Sequence, residues 1–124
     1  MMRTSVYRTL AVVVLAVLSA SCEEPLTVCN LNLVYGLIVV PTDSITGRSL
    51  AGSGTLVEVR DGSYVDTLQQ MSATEYQGAG ERPGTYTVMV QHQGYRPWQR
   101  NDIRVREDEC HVIPVRVDAR LEPL

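Results

Sequence analysis

Pro83-Gly-Thr-Tyr-Thr-Val-Met-Val-Gln-His-Gln-Gly-Tyr-Arg-Pro-Trp98 has the most informative pattern of turns and alternating residues in this sequence. Its first two residues, Pro and Gly, are typical of a tight turn. Tyr86, Val88 and Val90 then alternate with more polar neighbours, and this period of two predicts a strand with one buried face. Gly94 ends the alternation, so the stretch is expected to run from turn to strand to a second turn, which leads into a Gly/Pro loop carrying Tyr95 and Trp98.

Similar alternation recurs through the chain at short and regular intervals, and no segment after residue 22 shows a convincing helical period. Val57 and Val59 are predicted to face inward in one strand, and Ile103 and Val105 in another. In the last strand, the odd positions of 115–121 are predicted to face inward. An Asp61-Gly62 pair predicts a hairpin turn. We expect an all-β protein, a single Greek-key β-sandwich of about seven strands. The expected strands cover 31–40, 55–60, 63–71, 74–78, 85–91, 103–106 and 115–121.

Two motifs resemble those of carboxypeptidase regulatory-like domains. The first is Arg82-Pro-Gly-Thr-Tyr-Thr-Val88 followed by Gly94-Tyr95, and it is similar to the penultimate strand of that family. The second is a partial match formed by Asp43, Thr46-Gly47, Leu50-Ala51-Gly52 and Val57. The resemblance covers residues 33–121 and implies a transthyretin-like (prealbumin-like) sandwich. A small insertion at 53–56 departs from the family pattern, and we expect a bulge or an altered loop there.

The first 21 residues have the pattern of a bacterial export signal. Arg3 and Arg8 precede an apolar run at 10–18, and small residues occupy 19–21. The apolar run is short for a membrane span, so a cleaved signal helix is favoured over a retained anchor. The predicted organisation is a signal peptide at 1–21, a linker at 22–30 and a β-sandwich domain at 31–124.

Cys22 directly follows this signal. Leu18-Ser-Ala-Ser-Cys22 resembles a lipobox, the motif in which the cysteine becomes the acylated first residue of a bacterial lipoprotein. The usual lipobox leucine stands three residues before the cysteine, whereas Leu18 stands four before Cys22. Cleavage without lipidation is therefore the alternative. The resemblance implies acylation of Cys22, palmitate included, and attachment of the exported domain to a membrane of the bacterial cell envelope, on its periplasmic or its cell-surface face.

The chain has three cysteines, an odd number that leaves one spare if the others pair. Lipidation of Cys22 would leave Cys29 and Cys110, which export would place in an oxidising compartment. A Cys29–Cys110 disulfide is therefore predicted. The alternative use of Cys110, in a metal site with His111, lacks the close ligand spacing that zinc sites show, and we expect neither a metal nor a cofactor.

Charge and motifs argue against nucleic-acid binding and against catalysis. The net charge is −3, and loss of Arg3 and Arg8 with the signal would make it −5, without a basic stripe for nucleic acid. No Gly-x-Ser-x-Gly motif is present. We expect no enzyme activity; a small hydrolase of transthyretin-like fold, using His92 and His111, is the alternative.

Tyr95 and Trp98 are the candidate ligand contacts. An aromatic pair on a loop between strands could stack on a sugar or anchor a protein partner, or it could fold back and cap the core. The arginines at 96, 100, 104 and 106 and the acidic run 107–109 are expected to form a solvated face of mixed charge. The sequence thus predicts a non-catalytic envelope lipoprotein whose sandwich is a binding or assembly module, with a carbohydrate-binding module as the alternative. The partner (an envelope protein or a glycan) and the oligomeric state stay open.

Overall fold

A computed structural model describes residues 22–124, which form an all-β fold. The predicted signal helix at 1–21 lies outside these residues. No helix in the described part of the chain is long and apolar enough to cross a bilayer. The nine strands of this part are β1 (Tyr35–Asp43), β2 (Thr55–Asp61), β3 (Tyr64–Thr67), β4 (Gln69–Gln70), β5 (Tyr76–Gly80), β6 (Gly84–His92), β7 (Trp98–Glu107), β8 (Val112–Ile113) and β9 (Val115–Leu121).

The strands form two sheets that share one core. One sheet has the order β4-β5-β1-β9 and the other the order β3-β2-β6-β7-β8. All neighbours are antiparallel except β1 and β9, which are parallel. Inward side chains of both sheets make a single buried cluster, so the architecture is sandwich-like, as predicted. The predicted inward positions of β2, β6, β7 and β9 all contribute to this cluster, and only Val115 at the start of β9 is partly exposed.

The first strand begins and ends later than predicted. Residues 31–34 have no regular structure, and β1 instead continues through Pro41 to Asp43. Proline is tolerated there because β5 pairs only with the first half of β1, up to Val39, while β9 pairs with Leu37 to Asp43. The missing proline N–H therefore breaks no ladder hydrogen bond to β5.

The predicted strand at 63–71 is divided between the two sheets. The chain leaves β3 after Thr67 and enters β4 at Gln69, and Leu68 between them is buried. Its side chain packs against Gly78 so closely that a Cβ there would lie 2.6 Å from Leu68 Cδ1. A buried leucine at the crossing, with a glycine opposite, is what lets the chain change sheets.

Trp98 lies in a strand and not in the predicted loop. It is the first residue of β7 and pairs with Val90. A bulge lies further along β7, where Tyr86 pairs with Ile103 but Val88 pairs with Arg100. The extra residue shifts the alternation, so Trp98 and Arg100 share the face of the buried Ile103 and Val105.

The sandwich has two ends, which we name after one residue each. The Cys110 end holds the beginnings of β1, β6 and β9 and the turn after β7, and the Trp98 end holds the loops that follow β1 and β6. At the Trp98 end the C-terminal residues tie the two sheets together. There Arg96 donates its backbone N–H to the carbonyl of Glu122 (2.9 Å), and Leu124 donates to Gly94 (3.1 Å).

Leu37 and Leu26 provide a matched test of this core. Leu37 is fully buried and Leu26 is 94% exposed. We expect Leu37→Ala to lower the free energy of unfolding by about 2–5 kcal/mol, because it leaves a cavity. Leu26→Ala should change it by less than about 0.5 kcal/mol. Urea unfolding of the domain measures both, and equal effects of the two substitutions would contradict the described packing.

Candidate functional site

The predicted disulfide is present and joins the N-terminal segment to the Cys110 end. Cys29 and Cys110 are bonded, with 5.2 Å between their Cα atoms. Residues 22–33 are exposed and lack regular structure. Cys22, the predicted lipidation site, is exposed and outside any disulfide. Cys29, seven residues after Cys22, thus forms the only covalent cross-link between this segment and the body of the sandwich.

Asp108 positions Cys110 for this bond. Its Oδ1 accepts the backbone N–H groups of Cys110 (2.8 Å) and His111 (2.9 Å), which closes the turn after β7. These two hydrogen bonds also lower the pKa of Asp108. Within the described residues, no ion pair joins the acidic run 107–109 to the β7 arginines. Asp108 therefore has a structural role that charge patterning alone does not reveal.

Glu81 holds the N-terminal segment to the sandwich beside the disulfide. Its carboxylate accepts hydrogen bonds from His111 Nδ1 (2.6 Å) and from the backbone N–H groups of Val34 (2.9 Å) and Val112 (3.3 Å). His111 Nε2 lies 2.9 Å from Asn30 Oδ1. Burial would raise the pKa of Glu81, but these hydrogen bonds outweigh it, and the pKa lies below its usual range. The sequence offered no signal for this role of Glu81.

Removing both bonded cysteines should destabilise the domain. The bond spans 81 residues of sequence, and loop-closure entropy then predicts a loss of up to about 4.5 kcal/mol for the Cys29→Ser, Cys110→Ser double variant. Urea unfolding under non-reducing conditions measures this loss. The Cys22→Ser variant is the matched control and should unfold like the parent protein. A double variant as stable as that control would show that the bond contributes nothing to folding.

At the Trp98 end, Tyr95 is held by a buried carboxylate. Its hydroxyl donates to Asp43 Oδ2 (2.7 Å), and Asp43 Oδ1 accepts the backbone N–H groups of Ile45 (2.7 Å) and Thr46 (2.9 Å). Asp43 is buried, at 6% exposure. The hydrogen bond from Tyr95, followed by those from Thr46 and Ile45, lowers the pKa of Asp43 to about 2. The Tyr95 hydroxyl is therefore hydrogen-bonded within the protein, and its ring packs against the core.

His92 is also engaged within this end. Its ring packs edge-on against Tyr95, with 5.2 Å between the ring centres. Its Nδ1 lies 2.5 Å from Thr55 Oγ1. Because the Thr55 hydroxyl already donates its one proton to the Leu50 carbonyl, the proton shared with His92 must come from Nδ1. His92 thus closes a network that fixes the loop after β6.

Trp98 is partly buried, as Tyr95 is, but its surroundings differ. It packs partly against the core, and the Arg100 guanidinium lies 5.2 Å from its ring centre. A shallow depression of about 280 Å³ lies beside it, lined by Arg96, Pro97, Trp98, Arg120 and Glu122. The structure therefore separates the predicted pair: Tyr95 is tied inward, and Trp98 faces a depression bordered by three charged side chains.

The two histidines lie at opposite ends of the sandwich. His92 is the last residue of β6, and His111 contacts Glu81 just before β6 begins. Eight residue steps along β6 correspond to about 26 Å, so the histidines share no site. Among residues 22–124, no group of three or more His, Cys, Asp or Glu side chains could hold a metal ion.

Arg82 explains why the motif needs Tyr86. The Arg82 guanidinium donates to Asp61 (2.8 Å) and to the Tyr86 hydroxyl (3.0 Å), and it stacks 3.9 Å from the ring centre of Tyr64. The Tyr86 hydroxyl in turn donates to the Arg82 carbonyl (2.7 Å). A tyrosine can thus be fully buried because both hydrogen-bonding capacities of its hydroxyl are used.

Comparison with models of known protein families gave no match to the chain, and comparison with curated proteins gave no relative that matches it.

Asp43 should make stability depend on pH in the acid range. A carboxylate whose pKa falls from 3.8 to about 2 on folding contributes stability that is complete above about pH 4 and is lost as the pH falls towards 2. We expect Asp43→Asn to lower the urea midpoint at pH 7, and the difference from the parent protein to shrink between about pH 4 and pH 2. The exposed Asp118→Asn is the control. A difference that stays constant over this range would contradict the assignment.

Proposed function

We propose that this chain is an exported, non-catalytic lipoprotein of the bacterial envelope, in which acylated Cys22 tethers one binding or assembly domain. One observation carries the proposal. Cys22 is exposed in a segment without regular structure, which a disulfide attaches to the domain seven residues later. This is the arrangement a surface tether needs, because the anchor residue is accessible and the pull on it reaches a rigid point.

The chemistry of Cys22 and of the disulfide supports a location at the bacterial envelope. Disulfides form and persist in exported proteins, so the Cys29–Cys110 bond favours an oxidising compartment. An acyl chain contributes about 0.8 kcal/mol for each methylene buried in lipid, so two or more chains would hold a domain of this size firmly. Lipidation would also use the one cysteine that has no partner within residues 22–124.

A non-catalytic role is proposed because the polar side chains at both ends have structural partners. Tyr95, His92 and Thr55 are joined in one network, and Glu81 and His111 in another. We also propose that the sandwich is of the Greek-key, transthyretin-like kind found in carboxypeptidase regulatory-like domains. The two partial motifs and the two-sheet architecture support this finer assignment.

Carbohydrate binding is the second candidate function, and Trp98 is the observation that favours it. The depression beside this residue measures about 280 Å³, and arginine and glutamate side chains that could hydrogen-bond to sugar hydroxyls border it. Tyr95 would act there only by supporting the loop, since its hydroxyl is bound to Asp43.

Intact mass of the protein purified from bacterial envelopes tests the main proposal. We expect an acylated N-terminus at Cys22 and two thiols that react with an alkylating reagent only after reduction. Cys22→Ser should move the protein from the membrane to the soluble fraction while its urea unfolding stays unchanged. An unacylated protein that begins at or near residue 22 would overturn the lipoprotein proposal and leave a soluble secreted sandwich with a spare thiol.

A further inference from the structure

We infer that the Cys110 end of the sandwich faces the lipid surface and that the Trp98 end points away from it. The inference rests on the proposed acylation of Cys22 and adds an orientation to it. Its basis is the position of the disulfide, which attaches the tether to one end of the sandwich.

The tether is shorter than the domain. The seven residues from Cys22 to Cys29 reach at most about 24 Å when fully extended. Trp98 and Glu107 are the two ends of β7, and nine residue steps separate them by about 30 Å. An inverted domain, with the Trp98 end on the lipid, would need Cys110 to stand about 30 Å above it. Adding the 5.2 Å between the Cα atoms of Cys29 and Cys110 brings the full reach to about 29 Å, so inversion would demand a completely extended tether, which costs conformational entropy.

The disulfide is what imposes this limit. Without it only the hydrogen bonds of Glu81 and His111 would hold residues 30–34 to the sandwich, and once these open the free segment runs from Cys22 to Tyr35, the first residue of β1. Those 13 residues reach about 45 Å, which is enough for the domain to turn over. The bond therefore does more than stabilise the fold, because it shortens the tether by about half and selects one orientation.

The chemistry of the Cys110 end suits contact with an uncharged lipid surface. Large aliphatic side chains are exposed in the tether and at this end: Leu26 94%, Val28 90%, Leu31 102%, Leu33 60% and Ile113 49%. Such side chains gain free energy at a membrane interface. The exposed acidic residues Glu107, Asp108 and Glu109 outnumber the exposed Arg104 and Arg106 beside them, so anionic headgroups would repel this part of the end. The surface that fits is therefore zwitterionic phospholipid.

The orientation is measurable because Trp98 is the only tryptophan of the chain. The acylated protein is reconstituted in phosphatidylcholine vesicles that contain lipids with a nitroxide on the headgroup, and quenching of tryptophan fluorescence is recorded. We expect Trp98 to be weakly quenched. In a Trp98→Phe background, Ile113→Trp places the reporter at the Cys110 end and should be quenched several-fold more strongly. Equal quenching of the two reporters, or stronger quenching of Trp98, would overturn the orientation.

A change of tether length tests the cause. A Gly/Ser spacer of about 14 residues inserted after Glu24 keeps the disulfide but lets the tether exceed the length of the domain, so quenching of Trp98 should rise. The Cys29→Ser, Cys110→Ser double variant should also raise the quenching of Trp98. Unchanged quenching with the spacer would show that the tether does not set the orientation. Protein that lacks an acyl group and does not float with vesicles would overturn the proposed function, and the orientation with it.

Discussion

Burial of one apolar face from each sheet is the constraint on which the rest of the structure depends. Tyr86, Val88 and Val90 of β6 are fully buried and lie in one cluster with Leu37 and Val117 of the opposite sheet. A domain of about 100 residues has room for only one such core. Each strand must therefore keep its inward positions apolar, and polar groups that enter the core need partners.

At both ends of the sandwich, a carboxylate provides hydrogen bonds for backbone N–H groups. At the Cys110 end, the carboxylate of Glu81 accepts backbone N–H groups that the sheets leave unpaired, and at the Trp98 end Asp43 does so. Each carboxylate also binds one aromatic side chain, His111 or Tyr95. Asp43 is buried and Glu81 is not, but both carboxylates are stable in the ionised form because several donors hydrogen-bond to them. No buried side-chain polar atom of the described residues lacks a hydrogen-bond partner.

The disulfide connects this rigid body to the segment that begins at Cys22. It lies at the Cys110 end, where Glu81 and His111 already hold residues 30–34 against the sandwich. A covalent bond beside these hydrogen bonds turns an otherwise loose N-terminal segment into a defined attachment point. In the proposed function this point transmits the pull of the anchor to the domain, and its place at one end gives the domain a direction.

The sequence by itself determined the all-β class, the inward positions of four strands, the turn at Asp61-Gly62 and the cysteine pair. These follow from local rules: alternation of side chains along a strand, turn chemistry, and the parity of cysteines. Three features come from tertiary packing: the chain changes sheets at Leu68, a bulge in β7 puts Trp98 on the face of Ile103, and Tyr95 binds Asp43. The tertiary structure also decided that Glu81 and His111 meet and that His92 and His111 do not. Each of these depends on contacts between residues far apart in the chain, and local patterns carry no information about such contacts because packing alone brings the partners together.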